Sequence, residues 1–108
     1  MALSGDQLLV VLAALASPPR LRIVAALKTH GRNYVSQLAR EVGISRPLLH
    51  LHLQKLEEAG LVTSKLELSS DGKALNYFEV ADFDHELSPA AIVRAAKTLT
   101  ATSTKSDT

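Results

Sequence analysis

The residues able to bind another molecule through charge are concentrated in the middle of the chain. From Ser17 to Lys55 there are seven lysines and arginines and a single acid, Glu41, whereas residues 56–108 include five basic and nine acidic side chains. The net charge of +1 hides this asymmetry. A basic segment of this kind indicates contact with a polyanion, although a solvated helical surface would give the same count.

The stretch "ADFDHEL" is a cluster of residue types that could bind a metal ion. It brings together Asp82, Asp84, His85 and Glu86. Carboxylates with a histidine can bind a divalent cation. An acidic loop before a helix N-terminus has the same composition, however, and is stabilised by the helix dipole. We take the second interpretation and predict no metal site and no cofactor.

Other reactive groups are absent or scattered. There is no cysteine, which excludes disulfides, thiolate metal sites and thiol redox sensing. Serines, histidines and aspartates lie apart from any nucleophile elbow or phosphate-binding loop, so the sequence predicts a protein that is not an enzyme. His50 and His52 would lie about 200° apart around a helix and cannot share a metal ion. For His52 we expect packing and one hydrogen bond.

The elements that position these side chains begin with two helices. Ser4 and Gln7 form a capping-box pattern before a first helix that runs to about residue 16. Its run from 8 to 16 is apolar on all sides and must be covered, for which a second copy of the protein is one candidate. Nine apolar residues cannot span a bilayer, which needs about 20, and no basic start marks a signal peptide. The sequence thus predicts a cytoplasmic protein without a membrane partner.

Two further helical segments follow. Ser17-Pro18 begins a second helix that runs to about residue 29, and a short third helix covers about 34–42 before Gly43. In the second helix Leu21, Val24 and Leu27 lie near one face, with Ile23 beside them, and in the third helix Val35, Leu38 and Val42 recur at helical spacing. We expect these faces to point to the core.

The stretch "SRPLLHLHLQKLEEAG", residues 45–60, is consistent with two structures. Its centre alternates apolar and polar residues as a strand does, but Leu49, Leu53 and Leu56 have the spacing of a helical core. Ser45 is a good N-cap and Gly60 a good C-terminal stop. The helical interpretation accounts for all sixteen residues, so we predict a helix over 45–59.

After Gly60 the pattern becomes extended. Two runs, about 62–68 and 75–80, are joined by a turn with Asp71-Gly72 and predict a β-hairpin over 62–80. Ser88-Pro89 opens a last helix to about Leu99. The 108 residues fit one domain over 1–100, followed by a polar tail over 101–108 that is predicted to be disordered.

The order of elements predicts a mainly α protein with a small β-hairpin, in a winged helix-turn-helix architecture. The segments "LASPPRLRIVAAL", "VSQLAREVGIS", "LHLQKLEEAGLV" and "DGKALNYFEV" together resemble the ArsR/SmtB family of bacterial and archaeal repressors. The resemblance covers about residues 8–80 in unbroken order, and the last helix extends it.

The resemblance implies a homodimer built through the first and last helices, and two recognition helices that read adjacent major grooves of an inverted-repeat operator in double-stranded DNA. Many members of this family bind a metal through cysteines in the third helix or through histidines and carboxylates in the last, but neither helix carries those ligands here. The effector is therefore unknown, and a small organic molecule at the dimer interface, pH or no effector at all stay open. The residues assigned to the dimer interface are Leu8, Leu9, Leu12, Leu15, Ile92, Ala96 and Leu99.

If the three leucines at 49, 53 and 56 face the core, the opposite face of the same helix is available to DNA. Arg46 could bond guanine or phosphate, and His50 and Gln54 could bond base edges or backbone. In the wing, Lys73 and with it Lys65 could reach phosphate. The DNA-binding residues predicted are Ser45, Arg46, Pro47, His50, Leu51, Gln54, Lys55 and Lys73.

Leu51 departs from the resembling family, which usually has a polar or basic residue there, and Pro47 stands where a small polar residue is common. Leu48 and Leu51 could be partly covered by a neighbouring helix. They could also form an apolar docking face, which would make the chain a protein–protein interaction module with weak, non-specific DNA binding. We favour the DNA-binding regulator, acting as a repressor.

Overall fold

The fold, in a computed structural model that describes residues 2–100, is a winged helix. The predicted tail at 101–108 lies outside the described residues. Within them the observed order confirms the predicted fold class. The elements are α1 (Gly5–Leu15), α2 (Pro18–His30), β1 (Asn33–Tyr34), α3 (Val35–Val42), α4 (Arg46–Glu58), β2 (Val62–Leu68), β3 (Ala74–Val80) and α5 (Pro89–Ala96).

Serine caps set the start of four of these helices. The hydroxyl of Ser4 accepts from the backbone N–H of Gln7 at 3.2 Å, and the Gln7 side chain accepts from the Ser4 N–H at 2.9 Å, which is the predicted capping box. The other three caps precede a proline in the first turn, where a missing N–H costs no helical bond. They are Ser17, Ser45 and Ser88.

The core confirms the helical interpretation of residues 45–60. Leu49, Leu53 and Leu56 are fully buried among side chains from the other helices and the sheet. Leu21, assigned to the core of the second helix, is instead 54% exposed, and that assignment is wrong. Apolar residues surround much of α2. The two that are buried in the core are Ile23 and Leu27, which are four residues apart and so lie on one face of the helix.

The wing is an antiparallel hairpin with one strand more than the sequence indicated. β2 and β3 pair from Val62↔Val80 to Leu68↔Ala74, with bounds within a residue of those predicted. The two-residue strand β1 adds to the free edge of β3, so the order is β1-β3-β2. Phe78, in β3, is buried against the helices and joins the sheet to the core.

The first and last helices pack against each other at very close range. A Cβ on Gly5 would lie 2.4 Å from the carbonyl oxygen of Ala95 and 2.7 Å from Leu99. The N–H of Gly5 donates to the hydroxyl of Thr98 at 2.7 Å. Because α5 ends at Ala96, its predicted continuation to Leu99 is wrong; the hydroxyl of Thr98 bonds back to the Ala95 carbonyl where that helix stops.

Among the described residues, no single helix is long and apolar enough to cross a membrane. The pair Gly5–Leu15 and Pro18–His30 meets the length and composition criteria only when taken together, and it is bent by 91°.

Candidate nucleic-acid interface

The helix-turn-helix consists of α3, a three-residue turn and α4. Gly43 ends α3 in the left-handed conformation with φ of 81°, which glycine adopts without steric cost. Ile44 fills the turn against the core, and the hydroxyl of Ser45 accepts from the Leu48 N–H at 3.3 Å. The turn therefore fixes where α4 begins and which of its faces points away from the core.

The N-terminus of α4 is open to solvent. Ser45, Arg46 and Pro47 are all exposed, and the Arg46 guanidinium has no hydrogen bond or ion pair within residues 2–100. Helix N-termini favour anions through the helix dipole and their free N–H groups. A free guanidinium beside such an end can bond either a phosphate or a guanine.

The outward face of α4 carries apolar and polar groups side by side. Leu51 is 61% exposed and Leu48 is 41% exposed, so within the described chain no neighbouring helix covers them. Lys55 is exposed farther along the same face. Gln54 is exposed as well, with a 3.4 Å contact from its amide nitrogen to Glu58. This face is thus free to meet a partner along its whole length.

A groove separates the start of α4 from the wing. Its lining includes Arg46 and His50 from α4, Asn76 from β3 and Ser36 from α3. The groove has a volume of about 290 Å³. Sequence reasoning missed Asn76 and Ser36, because only the register of the hairpin and the packing of α3 bring them beside Arg46.

The basic residues divide into free and internally bound ones. Arg32 makes a two-pronged pair with Glu67 at 2.6 and 3.0 Å and lies 4.4 Å over the ring of Tyr77. The hydrogen bond from Arg32 lowers the pKa of Glu67. Lys65 also approaches Glu67, at 3.8 Å, which weakens its case as a phosphate contact. Exposed basic side chains that make no ion pair within residues 2–100 are Arg22, Lys28, Arg40, Arg46, Lys55, Lys73 and Lys97.

Arg20 is occupied inside the protein. Its guanidinium donates to the carbonyl of Ala14 at 2.6 Å, at the end of α1, and lies 3.2 Å from Nδ1 of His52 on α4. Burial, with a smaller contribution from the charge of Arg20, lowers the pKa of His52. The expected role of His52 as a packing residue with a hydrogen bond is confirmed.

A second exposed surface is apolar and lies on α1 and α5. Of the residues predicted for a dimer interface, Leu9, Leu12, Ile92 and Ala96 are exposed, whereas Leu8, Leu15 and Leu99 are half-buried. Leu99 differs from the other predicted interface residues because its side chain lies close to Gly5 of its own chain. Two more valines on these helices, Val10 on α1 and Val93 on α5, are exposed and were not assigned by the sequence analysis.

The acidic stretch before α5 is engaged in local contacts. Glu86 pairs with Arg94 at 3.0 Å and accepts from the Ser88 hydroxyl at 2.8 Å, while the ring of His85 stacks on Phe83 at 5.9 Å. Within residues 2–100, no three histidine, aspartate or glutamate side chains are grouped to hold a metal ion.

Comparison with known proteins agrees with this geometry. The sequence model described as "Bacterial regulatory protein, arsR family" matches residues 17–64. An HTH-type transcriptional regulator of Methanocaldococcus jannaschii is 37% identical over 70 residues, which cover 65% of this chain and 72% of the relative.

Two solved structures are similar in fold and sequence. A fragment of a possible transcriptional regulatory protein from Mycobacterium bovis is 28% identical with a TM-score of 0.59, over 69% of this chain and 74% of that one. The crystal structure of an ArsR family transcriptional regulator is 25% identical with a TM-score of 0.57, over 75% and 77% of the two chains.

Proposed function

The chain belongs to the ArsR family of DNA-binding transcriptional regulators, and from that premise we propose that it acts as a homodimeric repressor on an inverted-repeat operator. Regulators of this kind are not enzymes, in agreement with the sequence analysis. The observation that carries the proposal is the free guanidinium of Arg46 at the open end of α4, in a groove shared with the wing.

The proposed contacts follow from the positions along α4. Ser45 and Arg46 bind phosphate or guanine at the helix N-terminus, and Pro47 lies against the backbone beside them. His50 and Gln54 bond base edges, and Lys55 holds phosphate at the far end. Lys73 in the turn of the wing contacts the backbone next to the groove.

Dimerisation is supported by the apolar surface on α1 and α5. Leu9 and Leu12 are exposed on α1, and Ile92 and Val93 are exposed on α5, beside the tight Gly5–Ala95 contact that joins the two helices. Contiguous exposed apolar residues are typical of protein–protein interfaces. A second copy that buried this surface would give the protein a twofold axis, which an inverted repeat matches. A dimer so bound would cover the operator and exclude other proteins, which is how it would repress.

The experiment is fluorescence anisotropy with a duplex from upstream of the gene and a scrambled duplex, each titrated at two salt concentrations. Binding that prefers the upstream duplex and weakens steeply with salt supports the proposal, because phosphate contacts release counterions. Equal and weak binding to the two duplexes would favour the second candidate function, a protein-interaction module. The exposed side chains of Leu48 and Leu51 are the observation that supports this candidate.

A further inference from the structure

The centre of the outward face of α4 is apolar, although its surroundings are basic. Leu48 and Leu51 are 41% and 61% exposed, and they lie three residues apart, so their side chains are neighbours on the helix surface. Leu51 points about 200° away from the buried Leu49, directly outward. Arg46 precedes this pair and Lys55 follows it, both exposed and without an ion pair in the described chain.

The charges on either side limit what the leucines can meet. A polyanion fits between Arg46 and Lys55, whereas an apolar protein groove would have to desolvate both cations. Leucine can neither donate nor accept a hydrogen bond. If it packed against the donors or acceptors of a base edge, those groups would lose their hydrogen bonds to water and gain none in exchange. In the major groove the apolar group that a base presents is the C5-methyl of thymine.

We propose that Leu51 is a specificity-determining residue that contacts a thymine methyl in each half-site, with Leu48 beside it shielding the contact from water. This inference rests on the proposed function, since it presumes that α4 enters the major groove. It adds a chemical preference to that function: the operator contains a thymine opposite Leu51, selected by its methyl group and not by a hydrogen bond.

The experiment begins with duplexes selected from a random library by the full-length protein. Each thymine of the selected consensus is then replaced in turn by deoxyuridine, which removes the methyl and leaves the hydrogen-bonding edge unchanged. At one position per half-site we expect affinity to fall roughly fourfold, as for the loss of one buried methyl group. Replacement of the other thymines should leave the affinity unchanged.

Two variants connect this effect to the residue. Leu51→Ala should bind the thymine and deoxyuridine duplexes equally, because the partner of the methyl is gone. Alanine is favourable in an exposed helical position, so the variant should fold, which circular dichroism checks. Leu21→Ala, at a leucine of similar exposure (54%) on α2, is the matched control and should keep the wild-type ratio.

The failures can be told apart. If the protein selects a sequence but no thymine methyl matters, the role of Leu51 is wrong and the proposed function stands. A Leu51→Ala variant that still discriminates deoxyuridine would overturn the assignment in the same way. If the library yields no enriched sequence, the proposed function itself fails, and the inference with it.

Discussion

The guanidinium of Arg20 lies 3.2 Å from Nδ1 of His52 and connects two helices with different proposed tasks. The same guanidinium donates to the Ala14 carbonyl at the end of α1, the helix proposed to dimerise. His52 lies on α4, the helix proposed to read DNA. The contact requires an unprotonated Nδ1 on the histidine, since Arg20 can only donate.

The first prediction concerns pH and stability. Because burial and Arg20 lower the pKa of His52 in the folded protein, the unfolded chain binds a proton more readily. The free energy of unfolding should therefore decrease as the pH falls below the ordinary histidine pKa of about 6.5. Chemical denaturation between pH 7.5 and 5.5 measures this dependence.

The control for that measurement is His52→Gln, which keeps an acceptor for Arg20 but does not titrate. It should show a smaller loss of stability over the same interval. The lowered carboxyl pKa values of Glu67 and Asp71 act at lower pH, outside the interval. A wild-type protein that gains stability on acidification from pH 7.5 to 5.5 would contradict the account of His52.

The second prediction concerns the contact between the first and last helices. In Gly5→Ala the new methyl would meet the Ala95 carbonyl and the Leu99 side chain, and α1 would have to move away from α5. Overpacking of this kind costs about 1–3 kcal/mol of unfolding free energy. Thermal unfolding of the variant should show a clearly lower midpoint, and an unchanged midpoint would mean that the two helices are not packed so closely.

The third prediction concerns Arg46. Arg46→Ala should weaken binding to the selected operator by about 1–3 kcal/mol if the guanidinium bonds a guanine in two places. Arg46→Lys keeps the charge but loses the planar fork, and separates a base contact from a phosphate contact. Full affinity in the lysine variant would assign Arg46 to phosphate, and full affinity in the alanine variant would remove it from the interface.

The fourth prediction concerns the dimer. Leu12, 38% exposed on α1, lies on the proposed interface, and Leu12→Glu would place a charge in an apolar contact. Light scattering should then report a monomer, and operator binding should fall with it. Leu68→Glu, at the exposed end of β2, is the matched control and should remain dimeric. A Leu12→Glu protein that is still a dimer would place the interface elsewhere.

Local patterns predicted the helices and the hairpin well, because caps and turn residues act over short distances. Ser45, the leucine spacing and Gly60 were enough to identify α4 despite its alternating centre. The failures depended on packing. Leu21 is exposed because Ile23 and Leu27 fill the space beneath α2, and β1 has two residues, too few for any pattern, held by its pairing with β3.

The candidate site divides in the same way. The outward residues of α4 follow from helical geometry once the core face is known, so they could be predicted from the sequence. Asn76 and Ser36 could not, because their nearness to Arg46 depends on how the wing folds back on α3. Tertiary contacts also explain why two basic side chains are not free to bind a partner: Arg20 contacts His52, and Arg32 pairs with Glu67.

The most direct test of the central claim is hydroxyl-radical footprinting of the wild-type protein on the selected duplex. A dimer that reads two half-sites through paired recognition helices should protect two patches on one side of the DNA. The patches should be related by the twofold axis of the repeat and separated by about 10 base pairs or a multiple of that distance. A single protected patch, or uniform protection along the whole duplex, would contradict a dimeric regulator that binds an inverted repeat.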